Sequence, residues 1–152
     1  MGFLSNLFLK EQIQCKRCLG KGSLDWDDIS RLNRELYWNT GSCAYCEGSG
    51  KVAVSFENKI AVDSLSLTSD LSSQERAKLI SKDPNALRRA QIREDELNRF
   101  ITEVTFLYYD AKLDSGKIFE FYSLDPNYSE IMDDEKLAIK AYISRIIKVK
   151  AI

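Results

Sequence analysis

The stretch CKRCLGKG at residues 15–22 is matched by CAYCEGSG at residues 43–50, and together they hold all 4 cysteines of a 152-residue chain. Both have the form Cys-x-x-Cys-x-Gly-x-Gly. A Cys-x-x-Cys turn points two thiols to one side, so two such turns facing each other offer four sulfurs as the corners of a tetrahedron, the geometry of structural zinc. Cys15, Cys18, Cys43 and Cys46 are therefore predicted to hold one zinc ion per chain. Four protein ligands close such a site and leave no position for water or substrate, so the zinc is expected to be structural. Gly20 and Gly48 fall where the chain must turn sharply through positive φ, and Gly22 and Gly50 are expected to let it leave in an extended direction.

Two other uses of the cysteines compete with this one. A redox pair needs one Cys-x-x-Cys in a βαβ setting, and two matched pairs with matched glycines speak against it. A disulfide framework needs an oxidising compartment, and the amino terminus lacks the basic region and small-residue cleavage site of an export signal. Asn6 stands where the myristoylation pattern requires Ser or Thr, and no apolar run approaches the length of a membrane span. The expectation is a cytoplasmic protein with reduced thiols.

The repeated motif resembles the cysteine-rich zinc domain of DnaJ-type co-chaperones and its small stand-alone relatives. The resemblance covers residues 15–50. The full co-chaperone domain has four such motifs and two zincs, whereas this chain has two motifs, which implies one zinc. The chain has no histidine, so the His-Pro-Asp signature of a J-domain is absent, and residues 19–42 carry an insertion. What the resemblance implies is a chaperone-like, protein-binding zinc module, without naming a substrate.

Within the insertion, residues 24–38 read as a short amphipathic helix with Ile29, Leu32 and Leu36 on one face and acidic residues at its start. Trp26, Tyr37 and Trp38 either pack over a zinc site too small for a core of its own or form a recognition patch. At the amino terminus Phe3, Leu4, Leu7 and Phe8 repeat with helical spacing, and Ile13 extends the face. They suit packing on the body of the protein or docking to a partner. Residues 51–56 alternate and are rich in β-formers, so they read as a strand following the second motif.

Residues 57–70 read as a connector that has room for a short strand. Ser72-Ser-Gln-Glu75 is a capping box that opens a helix to about Ser81, and Asp83-Pro84 starts another. The apolar stripe from Leu87 through Ala111 predicts a long helix ending near residues 114–116. A rival hairpin pairs residues 100–109 with 117–122, whose aromatic and β-branched content suits strands. Residues 130–149 form a last helix, acidic early and basic late, whose apolar residues demand burial against the long helix or another chain.

The fold class that follows is mainly α with a small β-containing zinc domain (α+β), a DnaJ-like zinc-knuckle module followed by a helical region. Its expected domains are 1–56, a connector at 57–70, and a helical domain at 71–152. With 22 basic and 23 acidic side chains, nonspecific phosphate binding has no electrostatic basis, so no nucleic-acid partner is expected. Without histidine there is no Ser-His-Asp or Cys-His arrangement, and no phosphate-cradling glycine loop occurs outside the zinc motifs. A non-enzymatic protein that recognises other proteins, as an adaptor, assembly factor or chaperone-like binder, is the leading expectation. A structural subunit of a larger homo- or hetero-oligomeric assembly is the second, and a thiol-disulfide oxidoreductase the third.

Overall fold

The computed structural model of the chain describes residues 11–129 and 132–151. The apolar positions Phe3, Leu4, Leu7 and Phe8 lie outside the described residues. The fold divides into two compact units, one running to Ile92 and the other beginning at Arg93.

The first unit is organised by the two cysteine motifs. Strands β1 (Gln12–Gln14) and β4 (Lys51–Ala53) pair antiparallel, with Ile13 opposite Val52; β2 (Ser23–Leu24) and β3 (Gly41–Ser42) pair antiparallel, with Leu24 opposite Gly41. The strand entering each motif therefore pairs with the strand leaving the other. Ile13, expected on a helical face, belongs to β1 because Val54 N–H donates to the Glu11 carbonyl and draws this segment into a ladder.

Helix α1 (Trp26–Arg31) occupies the insertion and is shorter than its apolar pattern predicts. A capping box starts it: Asp25 accepts from the Asp28 N–H at 2.9 Å, and Asp28 accepts from the Asp25 N–H at 3.1 Å. It ends because Asn33 adopts φ of 56°, a conformation that Asn tolerates and that stops an α-helix. The chain then coils so that Leu36 and Trp38 still reach the core, both no more than 6% exposed.

The strand expected over 51–56 stops at Ala53, and α2 (Phe56–Lys59) follows at once. No strand occurs among residues 57–70. Helix α3 (Ser73–Ile80) opens on Ser72, whose hydroxyl accepts from the Glu75 N–H at 3.1 Å. It closes with Lys82 at φ 63° and paired bonds from Asp83 N–H to the Lys78 carbonyl and Lys82 N–H to the Leu79 carbonyl. Those two bonds form a Schellman closure. Asp83 then caps α4 (Pro84–Tyr109) by accepting from Asn85 N–H at 2.8 Å.

The 100–109 segment is helix, not hairpin, but α4 ends at Tyr109, short of the expected 114–116. Ala111 N–H reaches back to the Phe106 carbonyl, and Lys112 turns the chain at φ 61°. Asp114 caps α5 (Ser115–Ser123), which takes up residues 117–122 as helix and buries Ile118 and Tyr122. Helices α6 (Pro126–Ser129) and α7 (Asp133–Lys150) complete the second unit. Its core holds Ile101, Val104, Ile118, Ile143 and Ile146, with Phe100 stacked on Tyr142 at 5.8 Å. Tyr109 donates to the Ile147 carbonyl and Tyr122 to Glu103, both at 2.7 Å. These bonds satisfy phenols that would otherwise be buried unpaired.

No helix among the described residues is long and apolar enough to cross a membrane.

Candidate metal centre

Each motif folds as a tight knuckle, and the two repeat bond for bond. Gly20 N–H donates to the Cys15 carbonyl and Gly48 N–H to the Cys43 carbonyl, both at 3.1 Å. Lys21 and Ser49 donate to the carbonyls of Cys18 and Cys46, both at 3.2 Å. Leu19 and Glu47 share φ of 54°. The halves then lock together: Cys15 N–H donates to the Gly50 carbonyl at 2.8 Å and Cys43 N–H to the Gly22 carbonyl at 2.9 Å.

The second glycine of each motif has a stricter duty than extended departure. Gly22 and Gly50 both turn through positive φ, at 81° and 80°. A Cβ on Gly22 would lie 2.4 Å from the Gly48 carbonyl oxygen, and one on Gly50 would lie 2.4 Å from that of Gly20. The two knuckles touch backbone to backbone at these glycines, which is why only hydrogen fits there.

This closure brings the Sγ atoms of Cys15, Cys18, Cys43 and Cys46 within 4.8 Å of one another, with all four residues buried. Cys15 and Cys43 are 3.9 Å apart at sulfur, and Cys18 and Cys46 3.7 Å. Bonds of about 2.3 Å to a tetrahedral zinc place sulfurs about 3.8 Å apart, so these separations fit a metal ion and are far too long for disulfides. Gly22 N–H and Gly50 N–H point at Cys18 and Cys46 sulfur, both at 3.2 Å, and such donors stabilise thiolates. A bond from the Cys43 thiol holds Cys15 down to about 5, and the same contact pushes Cys43 upward; burial raises Cys18. Packed this closely, the sulfurs hold four negative charges together only around a cation. The cluster can hold one metal ion.

The residues that seat the knuckles are arginines, which the sequence reading passed over. Arg31 donates to the carbonyls of Lys16 and Arg17 in the first knuckle, at 3.2 and 3.0 Å. Arg76 does the same for Ala44 and Tyr45 in the second, at 3.4 and 2.8 Å. Arg17, inside the first Cys-x-x-Cys, is 1% exposed. Its guanidinium lies 3.9 Å above the Trp38 ring and 5.2 Å from the Tyr45 ring. Burial lowers it to about 10, while the sulfurs of Cys43 and Cys15 act in the opposite sense, so it stays charged at neutral pH. Only Arg17 carried a sequence signal, its place between two ligands; Arg31 and Arg76 are brought in by the fold.

The aromatic candidates separate. Trp38 is buried at 5% exposure as a lid beside the knuckles, whereas Trp26 is 43% exposed on α1. Tyr37 is half-buried against the same core. Neither a protein-family model, nor a curated protein, nor a solved structure matches this chain, so the case for a metal centre rests on the two motifs and the geometry they adopt.

Proposed function

We propose that the protein is a non-enzymatic, DnaJ-like zinc module joined to a helical unit, and that it works by recognising other proteins. The observation that carries this reading is the sealed cluster of four cysteine sulfurs. All four corners of a tetrahedron come from the chain, and the knuckles are held by carbonyl-binding arginines, so a bound ion has a shape to hold and no position for a reactant. The metal we assign is zinc, one per chain, and its binding free energy would count as folding free energy of the first unit. Large apolar side chains left in solvent support the recognition role: Phe106, Phe121, Leu124, Met132 and Leu137 in the second unit are 51–83% exposed, and Trp26 adds an exposed aromatic in the first. Such side chains are the usual anchors of protein interfaces.

Metal analysis of gently purified protein should give one zinc per chain, and less than half an equivalent would sink the assignment. Affinity purification from the native source then divides a transient binder, with many substoichiometric clients, from a permanent subunit, with one stoichiometric set. Recovery of no protein partner would overturn the recognition role. Disulfide-reductase activity that disappears in a folded Cys15→Ser variant would overturn the structural role of the metal.

A further inference from the structure

Residues 60–67 have almost no secondary structure, and most of their carbonyl partners come from side chains of the cysteine module. Tyr45 hydroxyl donates to the Ile60 carbonyl at 2.8 Å, and Arg34 Nε to that of Asp63 at 3.0 Å. Arg17 alone supplies three more bonds, Nε to Val62 at 2.8 Å, Nη1 to Leu67 at 2.8 Å and Nη2 to Ser64 at 3.1 Å. Buried carbonyls need partners, so this segment is docked mainly by one guanidinium. Leu67 follows the bonds into the core and is fully buried.

A buried guanidinium in turn needs a counter-charge, since carbonyls and ring faces offset only part of its desolvation. Among the described residues no carboxylate lies within ion-pair distance of Arg17; the nearby carboxylate of Asp63 pairs with Arg34 at 3.4 Å. The groups that favour its charged form most are Cys43 and Cys15. A divalent ion on four thiolates leaves a fixed net negative charge next to this arginine. Arg17 also stands between two of the four clustered cysteines, so an ion that fixes the first knuckle fixes the place from which the guanidinium reaches Val62, Ser64 and Leu67.

We infer that metal occupancy of the cysteine cluster and docking of residues 60–67 are coupled through Arg17, so that the segment is released when the metal leaves. The inference rests on the metal reading above and extends it. The metal-dependent part of the fold does not stop at Gly50 but includes a segment that supplies no ligand. Because coupling is reciprocal, loosening the segment must also weaken the metal.

The test is hydrogen exchange of the full chain, as purified and after chelation, with metal content measured on the same samples. The Ser64 and Ser66 amides, which donate to the Ala61 carbonyl at 3.1 Å and the Ser64 hydroxyl at 3.3 Å, should be protected in the metal-loaded protein and lose protection together with the two cysteine motifs on chelation, while those of α7 are unchanged. Arg17→Gln should raise exchange at Ser64 and Ser66 at least tenfold and lower metal affinity with it. Leu67→Ala, which removes no sulfur and no arginine, should lower metal affinity about tenfold, an ordinary coupling. Should Arg17→Gln fail to fold, the wild-type comparison and Leu67→Ala decide. Protection at Ser64 and Ser66 that survives chelation, or a Leu67→Ala affinity equal to wild type, overturns the coupling while leaving the metal site intact. A chain purified without metal overturns both readings.

Discussion

Gly22 sits against Gly48 so closely that a Cβ on the former would lie 2.4 Å from the carbonyl oxygen of the latter, and Gly50 bears the same relation to Gly20. No side-chain adjustment relieves a clash with backbone. Gly22→Ala and Gly50→Ala should therefore each cost about 3 kcal/mol or more, combining positive-φ strain with overpacking. Gly41 also has positive φ but would meet nothing within 4 Å, so Gly41→Ala should cost only about 1 kcal/mol. Chemical denaturation with metal content measured alongside checks the ranking, and equal losses would show that strain alone sets the requirement.

The two arginines that cap the knuckles should not be equivalent. The Arg76 side chain is 19% exposed and also pairs with Glu47 at 2.9 Å, whereas that of Arg31 is 40% exposed and pairs with Asp28 at the longer distance of 3.7 Å. Water replaces a lost bond more readily at the second position. Arg76→Gln is expected to cost about 2 kcal/mol and Arg31→Gln about 1 kcal/mol. Urea denaturation curves of the two variants, read at equal metal occupancy, provide the comparison.

Lys82 is a residue whose replacement should help. It holds φ of 63° at the close of α3, where glycine carries no Cβ penalty. Lys82→Gly should stabilise the first unit by about 0.5–1 kcal/mol, since glycine's extra unfolded-state entropy takes back part of the relief. A thermal melt a few degrees above wild type is the expected readout, and a lower one would mean that the lysine side chain makes a contribution of its own.

The tryptophans give opposite expectations. Trp38→Ala empties a buried site beside Arg17 and should cost about 3–5 kcal/mol. Trp26→Ala alters a position 43% exposed and should cost less than about 1 kcal/mol. Acrylamide quenching of single-tryptophan variants should find Trp26 accessible and Trp38 protected. If Trp26 is part of a recognition surface, a captured partner should be lost in Trp26→Ala without a change in stability.

How far the sequence could be read depended on the range of the forces involved. Cys15, Cys18, Cys43 and Cys46 could be named because turn geometry and ligand chemistry act within a few residues. The starts of α3 and α4 were legible for the same reason, through Ser72 and Asp83. The end of α3 near Ser81 was legible too, but that of α4 was harder, because Lys112 takes a backbone conformation that composition does not announce. Helix α1 was overextended since Leu36 keeps helical spacing in sequence while reaching the core through a coil. Residues 60–67 looked like connector because their hydrogen-bond donors, Arg17, Arg34 and Tyr45, lie far away in the chain. Arg76, which seats the second knuckle from 29 residues beyond Glu47, was beyond any local pattern.

The knuckles superpose in their backbone bonds, yet the third position of one holds Arg17 and of the other Tyr45, both fully buried. A tetrahedral ion sees four like ligands and has no front or back. The protein around it does. The two side chains meet beside the cysteines, the guanidinium 5.2 Å from the phenol ring, so the repeat brings one permanent cation and one neutral group to the same place. Exchanging the two residues would keep the composition and the four sulfurs but take the three donors away from the Val62, Ser64 and Leu67 carbonyls. The repeat supplies the symmetry of the cage, and one unmatched side chain gives it a direction.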